Sequence, residues 1–94
     1  MKLTTTQTAR AATHLPEGWA MYLEEAATVS MRMVRGVLKV TLDSEEPSHF
    51  YMGREIQRDD VSVYDNWRVG GYRNGQSFER LAEACAYIDT LQAA

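Results

Sequence analysis

An apolar stripe near the C-terminus constrains the fold most, because its spacing is helical over several turns. Its members fall three or four residues apart, which places them on one face of an α-helix: Phe78, Leu81, Cys85, Ile88 and Leu91. The pattern predicts a helix over residues 78 to 92, with Ser77 as its N-cap and Glu79 near the positive end of the helix dipole. Because its apolar face must be covered, the rest of the chain has to supply a packing partner.

Two runs in the middle of the chain alternate apolar and polar residues, which is typical of half-buried strands: Val29, Met31 and Met33, then Leu38, Val40 and Leu42. Arg35-Gly36 lies between the runs and predicts a hairpin, since glycine accepts the positive φ of such turns. Shorter strands are expected at residues 49 to 52, 61 to 64 and 67 to 72. The predicted fold is α+β: a small antiparallel sheet of about four to six short strands with the C-terminal helix packed on one face.

Residues 19 to 33 allow two interpretations. Trp19, Met21 and Leu23 alternate as in a strand, yet Trp19, Leu23 and Ala26 also fall at helical spacing. Glu24 and the alanines that follow favour a helix. Gly18 and the later Val, Thr and Met residues favour strands, which is the interpretation adopted, with the helix left open.

Residues 1 to 16 contain many threonines and no acid. They predict a flexible or loosely docked N-terminal arm, which leaves residues 17 to 94 as a single α+β domain. Cys85 is the only cysteine, so no internal disulfide can form, which is typical of a reducing compartment. No apolar run approaches the ~20 residues of a membrane helix. We therefore expect a cytoplasmic protein with no membrane partner.

The charge distribution indicates the class of partner. The formal net charge is −3, and residues 17 to 65 hold ten acids against five bases, a net of −5. Nucleic-acid binding needs a basic stripe or patch, so a protein with a basic surface is favoured over nucleic acid. A linear count does not test whether the basic residues cluster in space: Arg32, Arg35, Lys39, Arg54, Arg58, Arg68 and Arg73.

The sequence carries no recognisable catalytic, cofactor or metal motif. The glycine-rich stretch from Gly70 to Ser77 lacks the Walker and Rossmann spacings, so it predicts a turn. Cys85 lies on the apolar stripe and is expected to be a buried, unreactive thiol. His14 and His49 lack the Cys or His partners of a zinc site, and the acidic loops lack the calcium-loop spacing. We expect no catalytic residue, no cofactor and no metal.

The leading hypothesis is a small acidic, non-enzymatic protein-binding module. Its partner-binding residues are predicted among loop acids and tyrosines: Asp43, Glu45, Glu46, Asp59, Asp60, Tyr51 and Tyr64. Tyr22, Val34 and Val37 are expected on an uncovered face of the sheet. Phage or bacterial inhibitors that cover a basic surface, for example on a nucleic-acid-guided defence complex, share this general profile.

Three alternatives stay open. The chain could be a homo-oligomeric structural or regulatory module, in the simplest case a homo-dimer. It could be a small enzyme that uses His49 with loop carboxylates. It could also bind nucleic acid if the basic residues cluster.

Overall fold

The computed structural model describes residues 3–58, 66–70 and 75–93. In this part of the chain two helices are followed by six strands and a C-terminal helix: α1 (Thr5–His14), α2 (Trp19–Glu25), β1 (Val29–Val34), β2 (Val37–Leu42), β3 (Ser48–Tyr51), β4 (Arg54–Arg58), β5 (Trp67–Val69), β6 (Gln76–Phe78) and α3 (Leu81–Ala93). Each strand pairs antiparallel with the next one along the chain, so the sheet order is β1-β2-β3-β4-β5-β6. The predicted α+β fold is confirmed. The strand predicted at residues 61 to 64 and the turn residue Asn74 lie outside the described residues.

The sheet has two faces, and the alternation of side chains assigns each residue to one of them. Face A is defined by Met31, Met33 and their cross-strand partners, together with Phe50, which pairs with Leu38. Face B is defined by Val37, Lys39, His49, Ile56 and Val69, which are related by the same registers. Each face carries its own apolar core, so both faces are partly covered.

The core on face A lies under α1 and α2. Leu23 and Ala26 pack with Leu38, Val40 and Phe50 into one buried cluster. The ring of Trp19 meets the edge of Phe50 with centroids 4.6 Å apart. Burying side chains of this size contributes about 1.5–3 kcal/mol each, so the two N-terminal helices fold against β1, β2 and β3.

The core on face B lies under α3. Leu81 and Ile88 of the predicted stripe, together with Ala84, pack with Val37, Ile56 and Val69 of the sheet. Val37 is fully buried here, which corrects the prediction that it lies on an uncovered face. The alternation places Val37 on the face opposite to that of Leu38, as predicted. The strand alone does not show that α3 covers this face.

The start of α3 differs from the prediction. Ser77 pairs with Arg68 and Phe78 pairs with Trp67, so both belong to β6 rather than to the helix. The helix begins at Leu81, and the N–H of Arg80 donates to Oε1 of Glu83 at 3.0 Å, which closes the first turn. The prediction of Ser77 as the N-cap is therefore wrong, because Ser77 and Phe78 pair with β5 and so belong to a strand.

The N-terminal arm is a helix along residues 5–14, where a flexible or loosely docked segment was predicted. Thr4 and Gln7 form a capping box: the Thr4 side chain accepts from the Gln7 N–H at 3.1 Å, and Gln7 Oε1 accepts from the Thr4 N–H at 3.0 Å. At the other end His14 is buried, and its Nδ1 accepts from the Met52 N–H at 3.1 Å. The arm thus has both a helix start signal and a defined anchor.

Residues 19 to 33, for which the sequence allowed a helix or strands, contain one of each. The strand interpretation is wrong for Trp19–Glu25, which form α2, and is confirmed for Val29–Val34, which form β1. Gly18 has a φ of 97°, a conformation that glycine adopts without strain, and it sets the start of α2. Among the described residues, no helix is long and apolar enough to cross a membrane.

Candidate functional site: a basic groove on face B

The helices leave part of face B uncovered. On β1 and β2 this face carries Ser30 opposite Thr41 and Arg32 opposite Lys39. The two β1 residues are exposed and the two β2 residues are half-buried. These side chains are polar, whereas those under α3 are apolar, so the sequence itself divides face B into a packed part and a part that meets solvent.

A groove of about 650 Å³ opens where this polar strip meets the start of α3. We call it the basic groove. It draws residues from the β1–β2 hairpin, from three strands and from the segment that enters α3: Val34, Arg35, Lys39, His49, Trp67, Glu79, Arg80, Leu81 and Ala82. The register of the sheet brings Lys39 beside His49, and the fold brings Arg80 to them from far along the chain.

An aromatic pair forms the centre of the basic groove. The rings of His49 and Trp67 meet edge to face, with centroids 4.9 Å apart. The guanidinium carbon of Arg58 lies 5.0 Å from the Trp67 ring centroid, within the range of a cation–π contact. Trp67 is thus held between two neighbours, which gives the groove a fixed, planar surface.

Among the described residues that line the groove, cations outnumber anions. The pKa of His49 lies below its ordinary value, first because burial disfavours the charged ring and then because Lys39 and Arg58 add positive charge nearby. His49 is therefore a neutral imidazole at pH 7, with one nitrogen donating and the other accepting. The exposed side chains of Arg35 and Arg80 add two further cations to the lining, against the carboxylate of Glu79.

A smaller depression of about 440 Å³ adjoins the basic groove and shares Lys39 and His49 with it. Its lining reaches Glu46 and Arg58, so the predicted acidic loop borders the positive region rather than lying apart from it. The surface that results has two signs of charge side by side.

The structure places the predicted acids of residues 43 to 46 in different roles. The Asp43 carboxylate accepts from the Thr28 N–H at 2.8 Å, and the Asp43 N–H donates to the Thr28 carbonyl at 3.1 Å. Asp43 therefore ties the start of β1 to the end of β2. Glu45 and Glu46 are exposed on the loop that follows. Asp59 and Asp60 lie outside the described residues.

Tyr51 lies at the other end of β3 from the acidic loop, so the structure does not bring these predicted residues together. It is half-buried, and its hydroxyl donates to Asp89 Oδ1 of α3 at 2.8 Å. Its ring also faces His14, with centroids 6.1 Å apart. Tyr51 thus joins three elements of the fold, while Tyr64 lies outside the described residues.

Cys85 is half-buried on α3, where a buried thiol was predicted. Burial, and then the negative charge of Asp89, raise the pKa of its thiol, so it stays protonated at neutral pH. Within residues 3–58, 66–70 and 75–93, no group of three His, Cys, Asp or Glu side chains could hold a metal ion.

Sequence reasoning missed the basic groove as a site, although it noted that the cations could cluster. Lys39 and Arg32 share face B with His49, whereas Arg68 lies between Trp67 and Val69 and so on face A. Arg73 lies outside the described residues. One signal in the sequence could have identified the groove. Arg32 and Lys39 occupy positions that alternate with the apolar residues of face A, so both cations lie on face B.

Comparison with protein-family models, with curated proteins and with solved structures finds no match for this chain. What the basic groove can do follows from its own side chains. Its cations can pair with carboxylates or phosphates, Trp67 can pack against an apolar or planar group, and neutral His49 can share hydrogen bonds with an amide.

Proposed function

We propose that this chain is a small non-enzymatic protein-binding module that holds an acidic segment of a partner protein in the basic groove. The observation that carries this proposal is the set of cations that line the groove with His49 and Trp67: Arg35, Lys39 and Arg80. The chain as a whole has a net charge of −3, so the excess of cations in the groove is opposite in sign to the net charge of the protein. A local positive field in a concave surface attracts and orients an anionic partner.

The composition of the groove supports a protein partner. Trp and Arg are enriched at the centres of protein interfaces, where they supply most of the binding energy. Val34, Leu81 and Ala82 add apolar lining beside the cations. A segment that alternates acidic and apolar side chains would satisfy both kinds of surface.

The rigidity of the groove supports binding as well. Trp67 is half-buried between His49 and Arg58, so little side-chain freedom remains to be lost when a ligand packs against it. Lys39 and His49 lie on paired strands, which fixes their separation. A preformed surface of this kind binds with a small ordering cost.

The surroundings of the groove favour a short acidic segment over a nucleic acid. Glu46 and Glu55 line the adjoining depression, where they would repel a phosphate backbone that continued past the groove. An acidic peptide can end, turn or present a basic residue at that point.

The proposal can be tested with a displayed library of random peptides selected on the immobilised protein. We expect enrichment of sequences rich in Asp and Glu with interspersed apolar residues. Lys39→Glu should lower the affinity for the enriched peptides at least tenfold, because it reverses a charge in the groove. Arg54→Glu, the same change at an exposed cation outside the groove, is the matched control and should leave the affinity within about twofold.

Two results would refute the proposal. One is the selection of peptides without acidic enrichment, or with equal losses for Lys39→Glu and Arg54→Glu. The other is tight binding of a single-stranded oligonucleotide at physiological salt by a protein that selects no acidic peptide, which would establish the nucleic-acid alternative.

In a second candidate function the charges of the two partners are reversed: the acidic loop would guide the chain onto a basic surface of a partner protein. It is supported by the exposure of Glu45 and Glu46 on a loop that Asp43 anchors. A phage or bacterial inhibitor of a nucleic-acid-guided complex would use this mode, together with Asp59 and Asp60. Enrichment of Lys- and Arg-rich peptides, lost on Glu45→Lys with Glu46→Lys, would favour it over the groove.

A further inference from the structure

Among the described residues, β1 is an edge strand of the sheet. All six of its residues pair with β2 on one side, from Val29 with Leu42 to Val34 with Val37. Among the described residues, no strand pairs with β1 on its other side. An edge strand with free N–H and C=O groups is a template for another strand, and soluble proteins usually keep such edges short or interrupt them.

The β1–β2 turn determines which backbone groups of β1 point outward. Its two central residues, Arg35 and Gly36, have φ values of 52° and 82°, which is the conformation of a two-residue type I′ turn. The flanking residues Val34 and Val37 then exchange both backbone hydrogen bonds. Bonded and non-bonded pairs alternate along an antiparallel ladder. Ser30 and Arg32 are consequently bonded to β2 as well.

The remaining residues of β1 direct their N–H and C=O groups away from the sheet: Val29, Met31 and Met33. Their side chains are the apolar ones of face A. Met31 and Met33 are half-buried and border the core of face A. The same edge therefore offers free backbone groups and apolar side chains at the same positions.

We propose that β1 pairs antiparallel with β1 of a second copy of this chain, which joins the two sheets into one continuous sheet. Symmetric pairing of two edge strands places a two-fold axis perpendicular to the sheet. Two symmetric registers overlap most of Val29–Val34. One is centred on Met31 and uses the outward groups of Val29, Met31 and Met33, and the other is centred on Arg32 and uses those of Met31 and Met33.

Charge selects between these two registers. Centred on Met31, the pairing sets Met31 against Met31, Val29 against Met33, and Ser30 against Arg32 of the second copy. Centred on Arg32, it sets two arginines opposite each other in a non-bonded pair, where the Cα atoms are only about 4.5 Å apart. Like charges directly opposite are destabilising. The register centred on Met31 keeps apolar residues together on face A and separates the arginines.

The pairing would also unite the uncovered parts of face B. Because the axis is perpendicular to the sheet, both copies present face B on the same side. The polar strips of β1 and β2 become adjacent, with an α3 helix on either side. From β3 of one copy to β3 of the other is five strand spacings, about 24 Å. The sheet surface between the two α3 helices then contains Arg32 and Lys39 from both copies.

Disulfide trapping tests both the pairing and its register, independently of any ligand. The variants Met31→Cys and Arg32→Cys are compared in a Cys85→Ala background under mild oxidation. Opposite Met31 positions form a bonded pair with Cα atoms about 5.5 Å apart, within the range of about 4.4–6.8 Å for a disulfide. The Arg32 positions would be diagonal neighbours at about 7–8 Å, beyond that range. We expect Met31→Cys to form a covalent dimer and Arg32→Cys to remain mostly monomeric.

Solution mass gives the second measurement. We expect the wild type to show a concentration-dependent mass that approaches twice 10.7 kDa by light scattering. Met31→Pro removes an outward N–H and no hydrogen bond to β2, so it should keep the circular dichroism of the wild type and be monomeric. Preferential cross-linking of Arg32→Cys, a wild type that stays at 10.7 kDa at millimolar concentration, or a dimeric Met31→Pro protein would each overturn the proposal.

Discussion

The two helical layers are attached to the sheet by different kinds of contact. On face B, α3 is held mainly by apolar burial, since Ala84 and Ile88 expose no surface and Leu81 almost none. Hydrogen bonds at Asp89 and Gln92 lie near its C-terminal end. On face A, α1 contributes the partly buried Ala11, with Leu3 and Leu15 just outside its two ends, and a polar anchor at its last residue, His14. An apolar contact is insensitive to pH and tolerates small shifts, whereas a hydrogen bond to an imidazole depends on geometry and on the protonation state.

The polar anchor is part of a small network at one end of the sheet. The β3–β4 turn is bonded from both sides: its Met52 N–H donates to His14, and its Met52 carbonyl accepts from Gln92 Nε2 at 2.9 Å. The Gly53 N–H donates to the His14 carbonyl at 2.9 Å. The turn therefore links α1 on face A to α3 on face B.

The largest expected effect is on the apolar layer. Ile88→Ala should lower the free energy of unfolding by about 2–5 kcal/mol, because it leaves a cavity under α3. Leu91→Ala, at a half-buried position on the same helix, is the control and should cost clearly less. Urea denaturation followed by circular dichroism measures both. Equal, small losses for the two variants would show that α3 is not held mainly by its buried stripe.

The next effect concerns the polar anchor. His14→Ala removes the acceptor of the Met52 N–H, and leaving such a part-buried donor unsatisfied costs about 1–3 kcal/mol. Amide hydrogen exchange should show faster exchange in α1 and unchanged protection in α3. His14→Asn, whose side-chain oxygen can accept the same bond, should restore part of the protection. Equal loss of protection in both helices would mean that the layers unfold as one unit.

A smaller loss of stability is expected from removing the N-cap of α1, and none from removing the side chain predicted to cap α3. Thr4→Ala should cost about 1 kcal/mol because it breaks the capping box of α1. Ser77→Ala should stay within about 0.5 kcal/mol because Ser77 lies in β6 and caps no helix. Thermal melts of the two variants make the comparison. A larger loss for Ser77→Ala would show that α3 starts earlier than Leu81.

The smallest effect is a dependence of stability on pH. Burial holds the pKa of His14 below its ordinary value, so the folded state favours the neutral ring. The unfolded state takes up a proton first as the pH falls through about 6.5, so stability declines from there until the folded protein is protonated too. The stability of the wild type minus that of His14→Asn should fall between pH 7 and 5. A difference that is flat over this range would contradict the assignment of His14 as a neutral acceptor.

Local sequence signals predicted much of the fold. Alternation and Arg35-Gly36 predicted the β1–β2 hairpin, and the apolar stripe predicted α3 on a sheet face. The sequence also holds signals for the two N-terminal helices. The Thr4 and Gln7 pair indicates α1, and the spacing of Trp19 with Leu23 indicates α2. The strand interpretation of α2 is wrong because so short a segment satisfies two periods at once.

The sequence by itself determined which residues share a face, because alternation along a strand is a property of the backbone. It also determined where the hairpin turns, because a positive φ at Gly36 is a local requirement. Only the tertiary structure decided what lies over each face. Ser77 became a strand residue through pairing with Arg68, and Val37 became buried through α3. The basic groove joins Arg35, His49 and Arg80 across three segments, and contacts at such separations depend on register and packing rather than on neighbouring residues.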